Sequence, residues 1–319
     1  MSKAVIRPPR MVPGCRVALV APAGPLLEHD DLTRGTELCK ALGYVPVLGV
    51  NAHRRYGYLA GTDEERIADL NTALQDPAID AIWCLRGGFG MTRILDRVDF
   101  QAAAERPRVV IGYSDITALL LALYRTTGIV TFHAPMARAP LTGFSRDHFE
   151  RVLGRSGPPG RLGRLPSPSD VLVPRSPRIL PLRKGTAEGP LVGGNLSLVA
   201  ALIGTRYFPE LDGAILFIED VGEDLYRIDR MLAQLRMVGA LDRLAGVILG
   251  QFTDMKRGTS DGALGFDEVL ATYLDPLGIP VAYGFPIGHV DDQWTMPIGV
   301  RARLDASLGE VEILESAVS

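Results

Sequence analysis

Three residues of this chain have the types and positions to do acyl-transfer chemistry, and each follows a predicted strand. The first is Ser114. The apolar run Val109-Val110-Ile111 enters the turn Gly112-Tyr113-Ser114-Asp115, and a helix leaves it with Ile116, Leu119, Leu120 and Leu123 at i, i+3, i+4 and i+7. A serine on such a strand-to-helix elbow is exposed at the carboxyl edge of a sheet. There the N–H of the next residue, Asp115, points where an oxyanion would form, and the helix dipole favours negative charge. The second glycine of a G-x-S-x-G elbow is missing, since Ile116 stands at that place. A plain helix N-cap is the competing role for Ser114.

A serine nucleophile needs a base, and the base needs an orienting group. The chain has five histidines, at 29, 53, 133, 148 and 289. His29 and His148 lie in charged stretches predicted to be exposed, and His53 adjoins Arg54 and Arg55 in a loop. His133 ends a strand and could reach the sheet edge. His289 follows the run Val281–Tyr283 through Gly284-Phe285-Pro286-Ile287-Gly288, an irregular loop at a strand end, where functional histidines tend to sit. A structural imidazole is the alternative. Glu219 ends the apolar strand predicted over 214–218, with Asp220, Glu223 and Asp224 beside it. It is either an acid at a functional sheet edge or part of a solvated acidic loop. The order Ser114, Glu219, His289 is that of the α/β-hydrolases.

Arg86-Gly87-Gly88-Phe89-Gly90 follows the strand predicted over Ile79–Leu85. Glycines there let backbone N–H groups approach a ligand, as a second oxyanion donor or a phosphate cradle; a tight turn is the plain reading. The run is not G-x-G-x-x-G, and no G-x-x-x-x-G-K-[ST] occurs. No H-E-x-x-H or C-x-x-C is present, so neither a metal nor another cofactor is expected. Cys15, Cys39 and Cys84 form no spacing motif, and their odd number fits a reducing compartment. Cys84 reads as inert packing.

The elements that must hold these groups form an alternating pattern. A chain of 319 residues has room for two domains or one large one. A net charge of −3 argues against a nucleic-acid partner, which would need clustered cations. No apolar run nears the ~20 residues of a membrane span, and residues 1–10 hold no secretory h-region. A cytoplasmic location is the expectation. Strands are predicted at 16–22, 45–48 (an edge, because of Pro46), 79–85, 109–111 and 129–132. Helices follow at 31–42 and after the Thr62/Glu65 capping box. Continuous apolar strands alternating with helices mean a parallel sheet covered on both faces.

Residues 151–185 break the pattern. They hold seven prolines and eight Arg/Lys against one acid, Asp170. They read as a linker, or else as an anion-attracting flap. Beyond them, strands are predicted at 186–192, 214–218, 246–249 and 281–283, and helices at 195–203 and 225–235. A terminal antiparallel hairpin turns at Leu308-Gly309. The expected organisation is an N-terminal domain over 1–150, a linker over 151–185 and a C-terminal domain over 186–319.

At these residues the sequence resembles the LD-carboxypeptidases. That family of serine peptidases includes muramoyl-tetrapeptide carboxypeptidases and microcin C self-immunity hydrolases. The resemblance is carried by Val17–Gly24, Ala60–Arg66, Arg86–Gly90, Gly112–Asp115, Gly193–Leu196, Ile218–Asp220 and Gly288-His289, in family order across most of the chain. Phe89 stands where the family commonly has Tyr.

The resemblance implies an α/β fold: a flavodoxin-like parallel-sheet N-terminal domain and a β-rich α+β C-terminal domain. It maps nucleophile, acid and base onto Ser114, Glu219 and His289, and the oxyanion donors onto the backbone of Asp115 and Gly88. It also implies a homodimer and hydrolysis, in peptidoglycan recycling, of the amide between the L-centre of a diamino acid and a terminal D-Ala. Arg86, with Gly87, is the candidate for binding the substrate's free carboxylate; a structural ion pair is the alternative for Arg86. Residues 151–190 contain no Trp, Tyr or Phe to stack on a nucleobase, which favours a muropeptide over an acyl-adenylate substrate. A silent nucleotide-binding module remains the reading from a different class.

Overall fold

The computed structural model describes residues 4–163, 178–256 and 264–319. Its first half alternates strand and helix. It runs β1 (Arg16–Val20), α1 (Asp31–Ala41), β2 (Val45–Leu48), α2 (Asp63–Gln75), β3 (Ala81–Cys84), α3 (Met91–Ile94), α4 (Phe100–Glu105), β4 (Val109–Gly112), α5 (Thr117–Thr127), β5 (Thr131–His133) and α6 (Gly143–Leu153). The capping box is formed: Thr62 Oγ1 accepts from the Glu65 N–H at 3.2 Å, and Glu65 accepts from the Thr62 N–H at 2.8 Å. Helix α5 ends at Gly128, which takes the left-handed conformation that glycine adopts without strain.

The second half contains β6 (Gly160–Leu162), β7 (Leu180–Arg183), β8 (Thr186–Asn195), α7 (Leu196–Ala201), β9 (Ile215–Val221), α8 (Leu225–Met237), β10 (Gly246–Thr253), α9 (Phe266–Leu274), β11 (Val281–Tyr283), β12 (Met296–Ile298), β13 (Arg301–Asp305) and β14 (Glu310–Ile313). The segment expected as a linker thus carries the end of α6 together with β6 and β7. Residues 164–177, which hold most of its prolines, lie outside the described residues, and the flap reading falls largely on them.

Two sheets result. The first has the order β12-β5-β4-β3-β1-β2. Strands β2-β1-β3-β4-β5 are parallel and give the flavodoxin-like order, with Pro46 on the edge strand as expected. The added strand β12 runs antiparallel to β5, pairing Met296 with His133. The second sheet has the order β6-β14-β13-β8-β9-β10-β11-β7. Its centre, β8 to β11, is parallel, and its flanks are antiparallel. The expected hairpin β13–β14 forms, with Leu304 opposite Val311.

The segment 296–305 therefore supplies a strand to each sheet and laces the two halves together. Helix α5 lies between them. Leu119, Leu120, Leu121 and Leu123 are all buried, not only those on the stripe seen in the sequence. Each such leucine contributes about 1.5–3 kcal/mol on removal from water. The elbow before α5 is thereby held on a rigid element.

Candidate active site

Ser114 sits immediately after β4, on a 3-10 turn over Ser114–Ile116. Its φ is +58°, a left-handed conformation that costs a residue with a Cβ roughly 1–3 kcal/mol. No side-chain cap hydrogen bond is made at this turn or at α5, so Ser114 does not serve as an N-cap. The strain instead aims the side chain at the Arg86–Gly90 turn. A Cβ built on Gly87 would lie 2.8 Å from Ser114 Cβ, 2.9 Å from Ser114 Oγ and 3.2 Å from the Asp115 nitrogen. A side chain there would force the serine to move.

The Gly87 turn is fixed from two sides. Gly87 O accepts from the Gly24 N–H at 2.7 Å. Asp115, buried beneath it, accepts from the Met91 N–H at 2.7 Å, tying the elbow to the start of α3. Burial pushes the Asp115 carboxyl up to about 6, against the opposing effect of the Met91 hydrogen bond.

Glu219 lies on β9, fully buried. The strand runs three residues past the predicted 214–218, pairing Asn195 with Glu219, Asp220 with Phe252 and Val221 with Thr253. It tolerates Asp220 because that carboxylate is satisfied locally. Asn195 Nδ2 donates to Asp220 at 2.9 Å, Ser197 donates its N–H at 2.9 Å and its hydroxyl at 2.8 Å, and Val221 donates its N–H at 2.9 Å. The Asn195 N–H reaches across to Thr117 Oγ1, at the start of α5, at 3.1 Å. This network joins the strand bearing Glu219 to the helix that leaves Ser114.

His289 Nδ1 is 2.8 Å from Glu219 Oε2. The acid is fully enclosed and the imidazole partly exposed, at 21% of its side-chain surface. Burial raises the Glu219 carboxyl above its ordinary value, opposed chiefly by the hydrogen bond from His289. Gly288, at φ +107°, allows the contact, because a side chain there would collide with the Glu219 carboxylate. Tyr113, next to Ser114, packs edge-on against the His289 ring with centroids 4.9 Å apart. Elbow, acid and imidazole thus meet where the two halves meet.

Arg86 donates to Pro25 O, a backbone contact and not the ion pair considered from the sequence. Burial, with Arg138 and Arg55 nearby, lowers its pKa from the ordinary value. Two histidine readings change. His148 is buried, with Arg151 2.9 Å from Nδ1 and Phe144 against its ring, because it lies on the inner face of α6. His133 is enclosed by β12 rather than reaching an edge; burial, with His289 nearby, pushes it down to about 3. Tyr113, Asn195 and Asp220 lie inside the motifs that carry the resemblance but had no role assigned to them, and Arg138 carried no sequence signal. Among the described residues, no group of three or more His, Cys, Asp or Glu is arranged to hold a metal ion, and no helix is long and apolar enough to cross a membrane.

A strained serine elbow at the end of a parallel α/β sheet thus lies near a hydrogen-bonded carboxylate–imidazole pair from the second half of the chain. Residues 17–134 match the LD-carboxypeptidase N-terminal domain and residues 188–304 the LD-carboxypeptidase C-terminal domain. The chain belongs to the LD-carboxypeptidase family.

It is 35% identical to the murein tetrapeptide carboxypeptidase of Pseudomonas aeruginosa, over 92% of this chain and 94% of that one. The crystal structure of muramoyltetrapeptide carboxypeptidase from Oxalobacter formigenes superposes with a TM-score of 0.78 at 31% identity, covering 93% of this chain and 97% of that one. The microcin C7 self-immunity protein MccF of Escherichia coli is 30% identical over 90% of this chain and 88% of its own. A structure of MccF in complex with glutamyl sulfamoyl guanosine superposes with a TM-score of 0.88 at 27% identity, covering 98% and 99%.

Proposed function

We propose that this protein is a serine LD-carboxypeptidase that releases terminal D-Ala from murein tetrapeptides by cleaving the amide at the L-centre of the diamino acid. The observation that carries the reading is the Glu219–His289 pair, held at 2.8 Å beside an elbow whose serine abuts the Gly87 backbone. In the proposed mechanism, His289 takes the proton of Ser114 Oγ as it attacks the scissile carbonyl. Glu219 fixes the tautomer through Nδ1, leaving Nε2 for the serine, and stabilises the imidazolium.

The Asp115 and Gly88 N–H groups hold the oxyanion, each worth roughly 10²–10³ in rate. A trans peptide directs the N–H of residue 88 opposite to the carbonyl of residue 87, which faces Gly24; this orientation supports Gly88 as a donor. His289 then protonates the departing amine, and water hydrolyses the acyl-enzyme. Arg86 receives the substrate carboxylate in this reading, beside Gly87. A cytoplasmic location, a homodimer and the division into 1–150, 151–185 and 186–319 belong to the same proposal; sedimentation of the purified chain tests the dimer.

The test is D-Ala release from UDP-MurNAc-tetrapeptide by wild type and Ser114→Ala. Release by wild type alone is expected. Equal release by both would remove Ser114 from the mechanism. The likeness to MccF favours one other reading, hydrolysis of an acyl-adenylate. Cleavage of an aminoacyl-sulfamoyl adenosine with no D-Ala release would select it.

A further inference from the structure

Arg138 lies on the loop that follows β5, and nothing in the proposed mechanism uses it. The loop is pinned at the catalytic edge of the first sheet, because the Ala137 N–H donates to Cys84 O at the end of β3, two residues before Arg86. Both guanidiniums therefore rise from neighbouring positions on one sheet edge, and Arg138 is close enough to act electrostatically on Arg86 and on Tyr113.

Among the described residues, their protein partners leave most donors unused. A guanidinium has five N–H donors. Arg86 spends one on Pro25 O. Arg138 spends one, at 3.5 Å, on Asp31. Its Nε is buried and has no hydrogen-bond partner among the described residues, while 31% of its side chain remains exposed. Asp31 does not depend on Arg138, since it accepts the Leu27 and Glu28 N–H groups at 2.9 and 3.1 Å. Arg55 adds a third cation near Arg86, and the buried carboxylate of Asp31 opposes them. Like charges gathered around unused donors, beside the turn that abuts Ser114, fit a planar anion.

We propose that Arg138 is a specificity residue that grips, together with Arg86, the free carboxylate of the substrate's terminal residue. The proposal rests on the carboxypeptidase reading above and adds to it a second arm and a consequence. A forked guanidinium pair bonds both oxygens of a carboxylate and leaves a terminal amide poorly matched. The enzyme therefore selects chains that end in a free acid at the residue after the scissile bond.

The experiment compares a tetrapeptide ending in free D-Ala with the same tetrapeptide ending in D-alaninamide. Wild type, Arg138→Met and Arg138→Lys are assayed for release of D-Ala or its amide, and unfolding curves report whether each variant folds. Wild type is expected to prefer the acid. In Arg138→Met, KM for the acid rises about 10- to 100-fold with little change in kcat, while the amide is processed as by wild type. Arg138→Lys keeps the charge facing Asp31 without the fork. It is expected to lose about tenfold of the acid preference, and it carries the test if the Met variant does not fold.

An acid-to-amide ratio unchanged in both variants overturns the inference while leaving the carboxypeptidase reading intact. Equal losses on acid and amide also overturn it, since they would mark a purely structural residue. Wild-type protein that releases nothing from either peptide overturns the carboxypeptidase reading, and the inference falls with it.

Discussion

Glu219 Oε2 and His289 Nδ1 stand 2.8 Å apart, the carboxylate sealed within β9 and the imidazole partly exposed, with the Tyr113 ring of the elbow packed against it. The bond ties the centre of the second sheet to the irregular loop after β11. Glu219 is fully buried, so its hydrogen bond to the imidazole opposes the effect of burial on the carboxyl.

Glu219→Gln keeps an oxygen that can accept from Nδ1 but removes the charge that stabilises the imidazolium. We expect kcat for D-Ala release to fall on the order of 10³–10⁴-fold with KM nearly unchanged, by analogy with the aspartate-to-asparagine change in the Ser-His-Asp triad. A loss of less than tenfold would mean that Glu219 only packs against His289.

Gly87→Ala places a methyl group where 2.8 Å separates it from Ser114 Cβ and 2.9 Å from Oγ. The serine must shift by several tenths of an ångström, and misplacements on the scale of 1 Å cost about 10² in rate. A drop of roughly that size in kcat, with an unfolding midpoint near wild type, is expected. Wild-type kcat would show that the turn does not set the position of Oγ.

The Asp115 carboxyl keeps its proton to about pH 6 in the folded chain, against an ordinary value of 3.8, because it is buried. The native state binds the extra proton between those limits, so this group's stabilising contribution is whole below about pH 4 and is lost as pH rises through 6. Asp115→Asn stays neutral and still offers an oxygen to the Met91 N–H. Urea unfolding should show the variant gaining on wild type between pH 4 and pH 7, by at most about 3 kcal/mol. A difference that does not change with pH would show that the native carboxyl is ionised throughout.

Asp220→Ala strands the Asn195 side-chain amide and the Ser197 and Val221 N–H groups that it now accepts. Each unsatisfied donor that stays buried costs about 1–3 kcal/mol. The urea midpoint should fall, and kcat should fall with it, because the same network sets β9 against the start of α5. Lost stability with full kcat would confine the network to a structural role.

Arg86→Ala tests the first arm of the proposed carboxylate site. KM for the tetrapeptide should rise at least tenfold, the scale of one charged hydrogen bond. An unchanged KM would leave Arg86 as a support for Pro25 O.

The sequence by itself determined the local elements. Period-two and period-3.6 patterns, the Thr62/Glu65 box, Pro46 at an edge and Gly128 beyond α5 are short-range signals, and each local preference agrees with the fold that forms. A parallel sheet covered by helices and the terminal hairpin follow from them, while the flavodoxin-like order was implied by the family resemblance. Ser114, Glu219 and His289 could also be picked out, because each follows an apolar strand and motif order carried the family resemblance.

What the tertiary structure decided lies at long range. The pairing of β12 with β5 buries His133, and nothing near residue 133 announces a strand that arrives from residue 296. The extension of β9 through Glu219 and Asp220 depends on donors from Asn195 and Ser197, which only the neighbouring strand and its helix supply. His148 turns inward because the face of α6 that bears it, with Phe144 one turn before, packs against Trp294. Burial, the bond between Glu219 and His289 and the gathering of Arg86 with Arg138 are properties of packed surfaces. A chain read one residue at a time carries the groups but not the distances that give them their chemistry.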